Sequence, residues 1–311
     1  MHSRRWPVTS VDDLVRLGGS RVVEHANIGE RTTYRVGGSA RVLVTLSCDA
    51  DVTELAPLVR ETGLHVIALG NGSNTLIADG EHDLVVVQVG GELATMTWCD
   101  DGESVLVTAG AGLGLPVAAR RLASAGVVDF EWAVGVPGTF GGALAMNAGG
   151  HGSDIHACVE SARVWRGGGV SEWSREQLAL GYRSSALVDG DVVVAVTLRL
   201  TRGSPVEANE RVRGIVRWRR ENQPGGTNAG SVFRNPENDH AARLIEAAGL
   251  KGLRVGGAHV SEKHANFVQA DPGTRARDVF DLITVVGARV RDYSGVTLLV
   301  ENRFVGFDGA S

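Results

Sequence analysis

A glycine-rich loop at residues 70–76 has the residue types that could bind a phosphorylated ligand through backbone atoms. It reads Gly-Asn-Gly-Ser-Asn-Thr-Leu and directly follows the apolar run 65–69. Glycines at alternate positions let successive backbone N–H groups form an anion-binding nest, to which Ser73 and Asn74 add side-chain donors. A pyrophosphate would fit this nest, although a tight turn between strands explains the same residues. Thr75 stands where a dinucleotide fingerprint of the Rossmann type needs glycine.

A second loop at residues 135–150 is richer still in small residues. It contains Gly-Val-Pro-Gly-Thr-Phe-Gly-Gly, and Asn147-Ala-Gly-Gly follows after four more residues. So many small side chains pack poorly and raise the entropy cost of folding, which favours a backbone that lies against a ligand. Thr139 and Asn147 add hydrogen-bonding groups. Two such loops together predict a large dinucleotide-type cofactor.

Three further side chains could serve as an acid and an anion clamp. Arg183 lies between Tyr182 and two serines, and its planar guanidinium suits a carboxylate or an enolate. Ser231 follows a glycine but lacks the surroundings of an acyl-transfer nucleophile, so it is a candidate proton donor or a turn-capping serine. Glu301 follows an apolar run, which fits a general acid, an orienting group or a charge at the rim.

Alternating and helical apolar patterns predict the elements that must position these residues. Apolar alternation or β-branched runs predict strands at 40–46, 65–69, 84–89, 96–98, 104–109, 192–200, 265–268 and 297–300. Apolar residues at helical spacing predict helices at 11–17, 52–62, 116–125, 206–221, 241–248 and 274–293. The long helix buries Val279, Leu282, Ile283, Val286 and Val290 along one face. The chain thus opens as β-α-β and continues as an α+β region.

Composition excludes several classes of function. The chain of 311 residues is 43% hydrophobic and 22% charged, with a net charge of -5 and no basic tract, so we expect no nucleic-acid partner. No apolar stretch is long enough to span a bilayer, and no secretory signal is recognisable. Cys48, Cys99 and Cys158 lie far apart, and His259 and His264 would not share a helix face, so we expect no metal site. We expect a cytoplasmic protein.

An ordered set of motifs resembles the UDP-N-acetylenolpyruvoylglucosamine reductases of peptidoglycan synthesis. The set covers residues 26–306 and comprises 32–38, 69–76, 135–149, 182–184, 223–224, 229–236, 247–252, 260–267 and 298–306. Each motif alone is moderately specific, whereas the ordered set is highly specific.

This resemblance implies an α+β fold with an FAD-binding domain of the vanillyl-alcohol-oxidase type and a smaller α/β substrate-binding domain. We expect an FAD-binding domain of two subdomains at 20–203, a substrate-binding domain at 204–295, and a C-terminal segment at 296–311 that carries Glu301 back to the active site. The resemblance implies reduction of UDP-N-acetylglucosamine enolpyruvate to UDP-N-acetylmuramate with NADPH as electron donor. Hydride passes from flavin N5 to C3 and a proton to C2. A monomer with a UDP-sugar substrate is expected.

The resemblance also assigns roles to individual residues. Ser231 is similar to the family's proton donor, while Arg183 and Glu301 are similar to the pair that stabilises the enolate. The implied FAD contacts are Tyr34, Arg35, Gly70, Asn71, Gly72, Ser73, Asn74, Thr75, Leu76, Gly135, Val136, Pro137, Gly138, Thr139, Gly141, Gly142 and Asn147. The implied substrate contacts are Tyr182, Arg234, Asn235, Lys263 and Asn266.

Two departures and two alternatives accompany the resemblance. The chain runs from Arg183 straight into 192–200, without the inserted loop whose tyrosine grips the substrate in some members. Gly150-His151 stands where small or aromatic residues are expected, and His151 could either touch the flavin or be exposed, of which we expect the exposed position. A flavin oxidase that uses oxygen would share the fold, but the set of Arg183, Ser231 and Glu301 disfavours it. A non-catalytic flavin or nucleotide-sugar binding protein would not need catalytic groups at these three positions, whereas all three are filled here.

Overall fold

The computed structural model describes residues 10–307, which form eight α-helices and seventeen strands. The helices are α1 Val11–Gly18, α2 Asp49–Glu61, α3 Leu115–Ser124, α4 Phe140–Ala145, α5 Arg175–Leu178, α6 Pro205–Asn222, α7 Ala241–Ala247 and α8 Ala276–Ser294. The strands are β1 Val22–Asn27, β2 Ser39–Leu46, β3 His65–Ala68, β4 Thr75–Ile77, β5 Glu81–Val89, β6 Met96–Asp101, β7 Ser104–Gly110, β8 Val127–Val128, β9 Gly149–Gly150, β10 Ser153–Asp154, β11 Val159–Arg166, β12 Gly169–Ser174, β13 Val192–Arg202, β14 Arg254–Val255, β15 Ala258–Val260, β16 Val268–Ala270 and β17 Arg303–Val305.

The chain divides by its internal contacts into two compact units. The first unit contains 10–26, Ala40–Gly70 and Asp83–Val212. The second contains Asn27–Ser39, Asn71–His82 and 213–307. This grouping puts two short segments from the first third of the sequence with the C-terminal part. The domain boundaries expected from the sequence, which follow chain order, stay a prediction.

Two sheets make up most of the first unit. Strands pair in the order β1-β2-β5-β3, with β3 parallel to β5. The apolar faces of α1 and α2 pack in one core with β2 and β5, through residues such as Leu14, Leu55 and Val44. The second sheet is antiparallel in the order β12-β11-β13-β7-β6, and β8 also pairs with β13. The first half of β13 is buried, which matches its near-continuous apolar sequence.

The second unit is built on α8. The antiparallel strands β14-β15-β16 and the short parallel pair β17 and β4 share its core. Every residue of the predicted apolar stripe on α8 is at most 1% exposed. Asp79 caps the start of this helix, because its carboxylate accepts the N–H groups of Ala276 at 3.0 Å and Arg277 at 3.1 Å. Gly295 ends the helix at a φ of 73°, a left-handed conformation that suits glycine.

The sequence predicted six of the eight helices and six of the seventeen strands, and it misplaced two further strands. All six predicted helices are confirmed within a few residues, as are the predicted strands from 40–46 to 192–200. The strand predicted at 265–268 is wrong, since the strand there is β16 at Val268–Ala270. The strand predicted at 297–300 is wrong, since this stretch makes only an isolated bridge at Val300 and the strand that follows is β17. The elements that were not predicted are α4, α5, β1, β4, β8, β9, β10, β11, β12, β14 and β15. No helix among residues 10–307 is long and apolar enough to cross a membrane.

Candidate active site

The loop before β4 has the backbone geometry of an anion cradle. Gly72 has a φ of 60°, and a Cβ there would lie 2.5 Å from the Cα of Thr32, so only glycine fits. Its carbonyl accepts both the N–H and the hydroxyl of Thr33 at 3.3 Å. Within residues 10–307, the N–H groups of Gly72, Ser73 and Asn74 donate to no protein group. These three consecutive donors are available to an anionic ligand.

The neighbouring residues of this loop have different environments. Asn71 is exposed, Thr75 is half-buried, and Leu76 is fully buried within β4. The side-chain amide of Asn74 donates to the carbonyl of Glu301 at 3.0 Å. The loop is therefore attached to the segment that carries one of the predicted catalytic residues.

Within the first unit, Gly70 lies against the second glycine-rich loop. A Cβ at Gly70 would lie 2.5 Å from the hydroxyl oxygen of Thr139. Thr139 is 5% exposed and caps α4 by accepting the N–H of Gly142 at 3.4 Å. The carbonyl of Gly138 accepts the N–H of Leu115 at 3.0 Å, which anchors the loop to the start of α3. The structure thus brings together these members of the two predicted loops.

The other residues of the second loop mainly present backbone. Gly135 ends a 3-10 turn, Val136 is half-buried, and Pro137 is exposed. Gly141 donates its N–H to Ala111 at 2.9 Å. Gly142 is exposed, and an added Cβ there would meet only the Thr139 hydroxyl, at 3.7 Å. A ligand can therefore approach the main chain of this loop at Gly142.

Asn147 holds the end of this loop through its side-chain amide. It is 5% exposed and has a φ of 39°. Its Nδ2 donates to the carbonyl of Gly181 at 3.0 Å and to Asp154 at 3.2 Å, and its Oδ1 accepts the N–H of His156 at 3.0 Å. Asparagine tolerates the left-handed region better than most residues. The contacts show Asn147 bracing the turn that contains Arg183; its contact with FAD stays a prediction.

Arg183 lies at the tip of a tight turn in the first unit. Gly181 and Ser184 exchange backbone hydrogen bonds of 3.1 and 3.2 Å, with Tyr182 and Arg183 between them. Arg183 has a φ of 54°, a left-handed conformation that costs a non-glycine residue about 1–3 kcal/mol. The hydroxyl of Ser185 donates to Ala145 at 2.8 Å, so the turn is anchored to α4 as well. These anchors maintain the strained conformation.

Tyr182 presents its ring at the surface of the same turn. Its side chain is 63% exposed, and the guanidinium carbon of Arg183 lies 5.8 Å from the ring centre. The turn therefore offers a cation and an aromatic face side by side. His151, as expected, is exposed.

In the second unit, Ser231 and Glu301 lie on adjacent, paired chain segments. The N–H of Glu301 donates to Val232 at 2.7 Å, and that of Arg234 donates to Leu299 at 2.9 Å. Ser231 also pairs with Phe267, and both Ser231 and Glu301 are half-buried. Gly230 precedes the serine with a φ of 72°. The structure thus pairs the chain segments that carry two predicted catalytic residues.

The neighbouring side chains of Tyr34 and Arg35 differ in exposure to solvent. Tyr34 is fully buried, and its hydroxyl donates to Oδ1 of Asn302 at 3.3 Å. Burial raises the pKa of Tyr34, with an opposing effect from the backbone of Ala229. Arg35 is exposed, with a φ of 54°. A cofactor contact from Tyr34 would have to involve its backbone.

Two of the predicted substrate contacts use their side-chain amides inside the protein. Asn266 is 4% exposed and bonds both the N–H and the carbonyl of Phe233, at 3.0 and 2.8 Å. Asn235 accepts the N–H of Ala241 at 3.1 Å, where α7 begins. Arg234 is half-buried and follows Phe233 directly. The substrate roles of these residues stay predictions.

Lys263 and His264 follow the buried Ser261. Lys263 is exposed, and its ammonium donates to the carbonyl of Arg220 at 2.5 Å. Burial lowers the pKa of His264, whose Nδ1 accepts the N–H of Asn266 at 3.3 Å. No group of three His, Cys, Asp or Glu residues among 10–307 is arranged to hold a metal ion.

In each unit the sequence missed residues that hold the candidate side chains. Asn302 binds Tyr34, and Asp154 and His156 bind Asn147. A polar residue directly after Glu301 was the one available signal for Asn302, and it does not identify a distant partner.

Comparison with known proteins identifies two matching domain families. Residues 222–305 match the model described as "UDP-N-acetylenolpyruvoylglucosamine reductase, C-terminal domain", and residues 40–173 match the model described as "FAD binding domain". The chain is 40% identical over 280 residues to the UDP-N-acetylenolpyruvoylglucosamine reductase of Geobacter metallireducens, covering 90% of this chain and 92% of the relative. It is 36% identical to that of Anoxybacillus flavithermus, covering 95% and 98% of the two chains.

Solved structures give the same result for the fold. The chain superimposes on the UDP-N-acetylenolpyruvylglucosamine reductase of Thermus caldophilus with a TM-score of 0.77 and 33% identity, covering 91% of this chain and 98% of that one. A berberine-bridge-enzyme-like protein of Physcomitrella patens shares the fold at a TM-score of 0.53 and 12% identity. The predicted α+β fold with an FAD-binding domain of the vanillyl-alcohol-oxidase type is confirmed.

Proposed function

We propose, because this chain belongs to the UDP-N-acetylenolpyruvoylglucosamine reductase family, that it reduces UDP-N-acetylglucosamine enolpyruvate to UDP-N-acetylmuramate with NADPH. The protein is a flavin-dependent oxidoreductase with an FAD-binding domain. The observation that supports the proposal is the backbone pairing of the Ser231 and Glu301 segments, since a hydroxyl and a carboxyl then belong to neighbouring stretches of chain. Roles in peptidoglycan synthesis, cell shape and cell division, and action as a cytoplasmic monomer, are predictions from the resemblance.

The residues available for FAD fit its chemistry. The N–H groups of Gly72, Ser73 and Asn74 can donate hydrogen bonds to a pyrophosphate. The open main chain at Gly142 suits a flat ring system. When bound, FAD supplies hydride chemistry, with NADPH as the source and C3 of the enolpyruvyl ether as the acceptor.

The chain's own residues would then stabilise the negative charge that develops on the substrate and would donate one proton. Hydride addition at C3 leaves negative charge at C2 and in the neighbouring carboxylate. We propose that the Ser231 hydroxyl donates its proton to C2, which completes the reduction of the double bond. The guanidinium of Arg183 would bind the carboxylate by its planar fork, and Glu301 would polarise the same group.

The decisive measurement is anaerobic oxidation of NADPH by the flavin-loaded protein, with and without the enolpyruvyl sugar nucleotide. We expect continuous oxidation only with the sugar, and one NADPH consumed for each UDP-N-acetylmuramate formed. The control replaces the sugar with oxygen and records oxygen consumption. Sustained oxygen-dependent turnover with an unchanged sugar would identify a flavin oxidase instead.

A further inference from the structure

The side chain of Asn302 connects three separate segments inside the second unit. It is 6% exposed, and its Oδ1 accepts the hydroxyl of Tyr34 at 3.3 Å. Its Nδ2 donates to Oδ1 of Asn74 at 2.8 Å. The same nitrogen lies 3.3 Å from the carbonyl oxygen of Ala229 and 3.4 Å from that of Ser231. One buried amide therefore contacts a buried tyrosine, the loop at residues 70–76 (the cradle loop) and the segment at residues 229–231 (the serine loop).

Both N–H donors of this amide are used, and its oxygen accepts one hydrogen bond. One hydrogen of Nδ2 goes to Asn74, and the other is shared between two backbone carbonyls. Reversing the amide would turn Oδ1 towards three acceptor oxygens, so the orientation is fixed by its partners. Since the side chain is buried and both of its donors are taken by the protein, Asn302 acts on other residues.

Asn74 extends the same network to Glu301. Its Nδ2 donates to the carbonyl of Glu301 at 3.0 Å, and its own carbonyl accepts the N–H of Arg303 at 2.8 Å. The cradle loop is therefore bonded to the residues on both sides of Asn302. A displacement of Asn74 or Asn302 would move the backbone at Glu301.

We infer that Asn302 is the positioning residue that fixes Ser231 relative to the loop at residues 72–74. The inference rests on the proposed function, in which the Ser231 hydroxyl donates the proton. Gly230 precedes this serine, and glycine gives the chain conformational freedom that an external brace must remove. Placement errors near 1 Å cost about 10²-fold in rate, so a brace on the serine carbonyl bears directly on turnover.

Asn302→Leu tests the brace, because leucine is similar in size and makes none of these hydrogen bonds. The readouts are two single-turnover flavin signals: bleaching by NADPH, and recovery of colour when the reduced protein meets the enolpyruvyl sugar nucleotide. We expect bleaching near the wild-type rate and colour recovery slower by about 10–100-fold, as for losses of outer supporting contacts elsewhere. The solvent isotope effect on recovery should rise, because proton delivery becomes slower.

Asn302→Asp gives a second test that does not depend on how well the leucine variant folds. A buried carboxyl facing three oxygens has a raised pKa, and only its protonated form can donate to Asn74. We expect its recovery rate, relative to wild type, to increase as the pH is lowered. Tyr34→Phe removes one bond of the network and should give a smaller loss in the same direction.

Asp278→Asn is the matched control for general destabilisation of the second unit. Asp278 is 9% exposed and bonds the backbone of Gly257 and Arg275 near the start of α8, not the serine loop. We expect a lower melting temperature for the flavin-free control protein, with both flavin signals near wild type.

The outcomes separate this inference from the proposed function. Colour recovery in Asn302→Leu that matches Asp278→Asn would overturn the positioning role, even if both variants melt early. Wild-type protein that bleaches with NADPH but never recovers colour with the sugar would overturn the proposed function, and this inference with it. Normal colour recovery in the wild-type protein, together with slow recovery in Asn302→Leu, supports both the proposed function and the positioning role of Asn302.

Discussion

The two units hold their candidate catalytic residues by different means. In the first unit, Arg183 sits in a left-handed conformation between paired backbone groups, and Asn147, also left-handed, braces the turn. In the second unit, neither Ser231 nor Glu301 has a positive φ, and their segments are held by the side-chain amides of Asn74 and Asn302. One unit fixes a side chain through strained main chain, and the other through hydrogen bonds from distant side chains.

The difference predicts different sensitivities to mutation. A strained turn depends on which residue can tolerate its φ, so substitutions there act through conformation. A buried amide network depends on complete hydrogen bonding, because each partner left unsatisfied costs about 1–3 kcal/mol. The following variants test whether the two units respond in these separate ways.

Ser231→Ala should have the largest effect. We expect NADPH to bleach the flavin at the wild-type rate, while turnover of the enolpyruvyl sugar falls by about 10²–10⁴-fold, the usual share of proton-transfer catalysis. The same signals measure Ser294→Ala, a matched control that removes a hydroxyl near the end of α8. Normal turnover in Ser231→Ala would disprove the proton-donor role.

Arg183→Lys should have the next largest effect. Lysine keeps the charge but loses the planar fork, so we expect turnover to fall by about 10–100-fold, corresponding to one strong bidentate contact of 1.5–3 kcal/mol. The measurement is kcat and KM for the sugar substrate. Arg163→Lys, which changes an exposed ion pair with Asp49, is the control and should remain at wild-type values. Equal kinetics in the two variants would contradict the role of Arg183.

Asn147→Ala and Asn147→Gly separate strain from hydrogen bonding in the first unit. Both variants lose three hydrogen bonds, but alanine also retains a Cβ at a φ of 39°. We expect the alanine variant to be less stable than the glycine variant by about 1 kcal/mol in urea unfolding. Ala179→Gly, at a φ of 43°, relaxes similar strain without losing side-chain hydrogen bonds and should not destabilise the protein. Equal stability of the two Asn147 variants would show that strain there is negligible.

His264→Gln should have the smallest effect, visible as a change in pH dependence. Burial, with a smaller effect of Lys251 opposed by Glu246, lowers the pKa of His264 in the folded protein below its usual 6.5. Protons therefore bind the unfolded chain more readily, and stability is lost as the pH falls below about 6.5. We expect the glutamine variant to lose less stability than wild type between pH 8 and pH 5. Phe267→Leu keeps the histidine and should keep most of the wild-type slope.

Local sequence patterns predicted the glycine loops and the core of α8, because both depend on neighbouring residues. Position 72 requires glycine because of its positive φ and its close approach to Thr32. The stripe from Val279 to Val290 follows the helical period, and all its members are buried. These features arise from conformation and spacing within a few turns of chain.

The positioning of the site could not be predicted in this way. The apolar residues 298–300 indicated a strand, but Leu299 is 63% exposed, and pairing there is limited to an isolated bridge at Val300. Tyr34 was expected to contact the cofactor, yet its hydroxyl binds Asn302, 268 positions away. No local pattern specifies partners at such separations, so the network that holds Ser231 appears only in three dimensions.

The parallel pairing of β4 with β17 has a consequence for how the protein is made. Asn74 and Asn302 are 228 positions apart, and the short strands that follow them pair along their full length. Contacts of such long separation form slowly, and the earlier partner must wait for translation to pass Val305. The loop at residues 70–76 is thus synthesised well before its partner and reaches its final shape only after that partner emerges. A nascent chain on the ribosome should gain affinity for flavin only at this late stage.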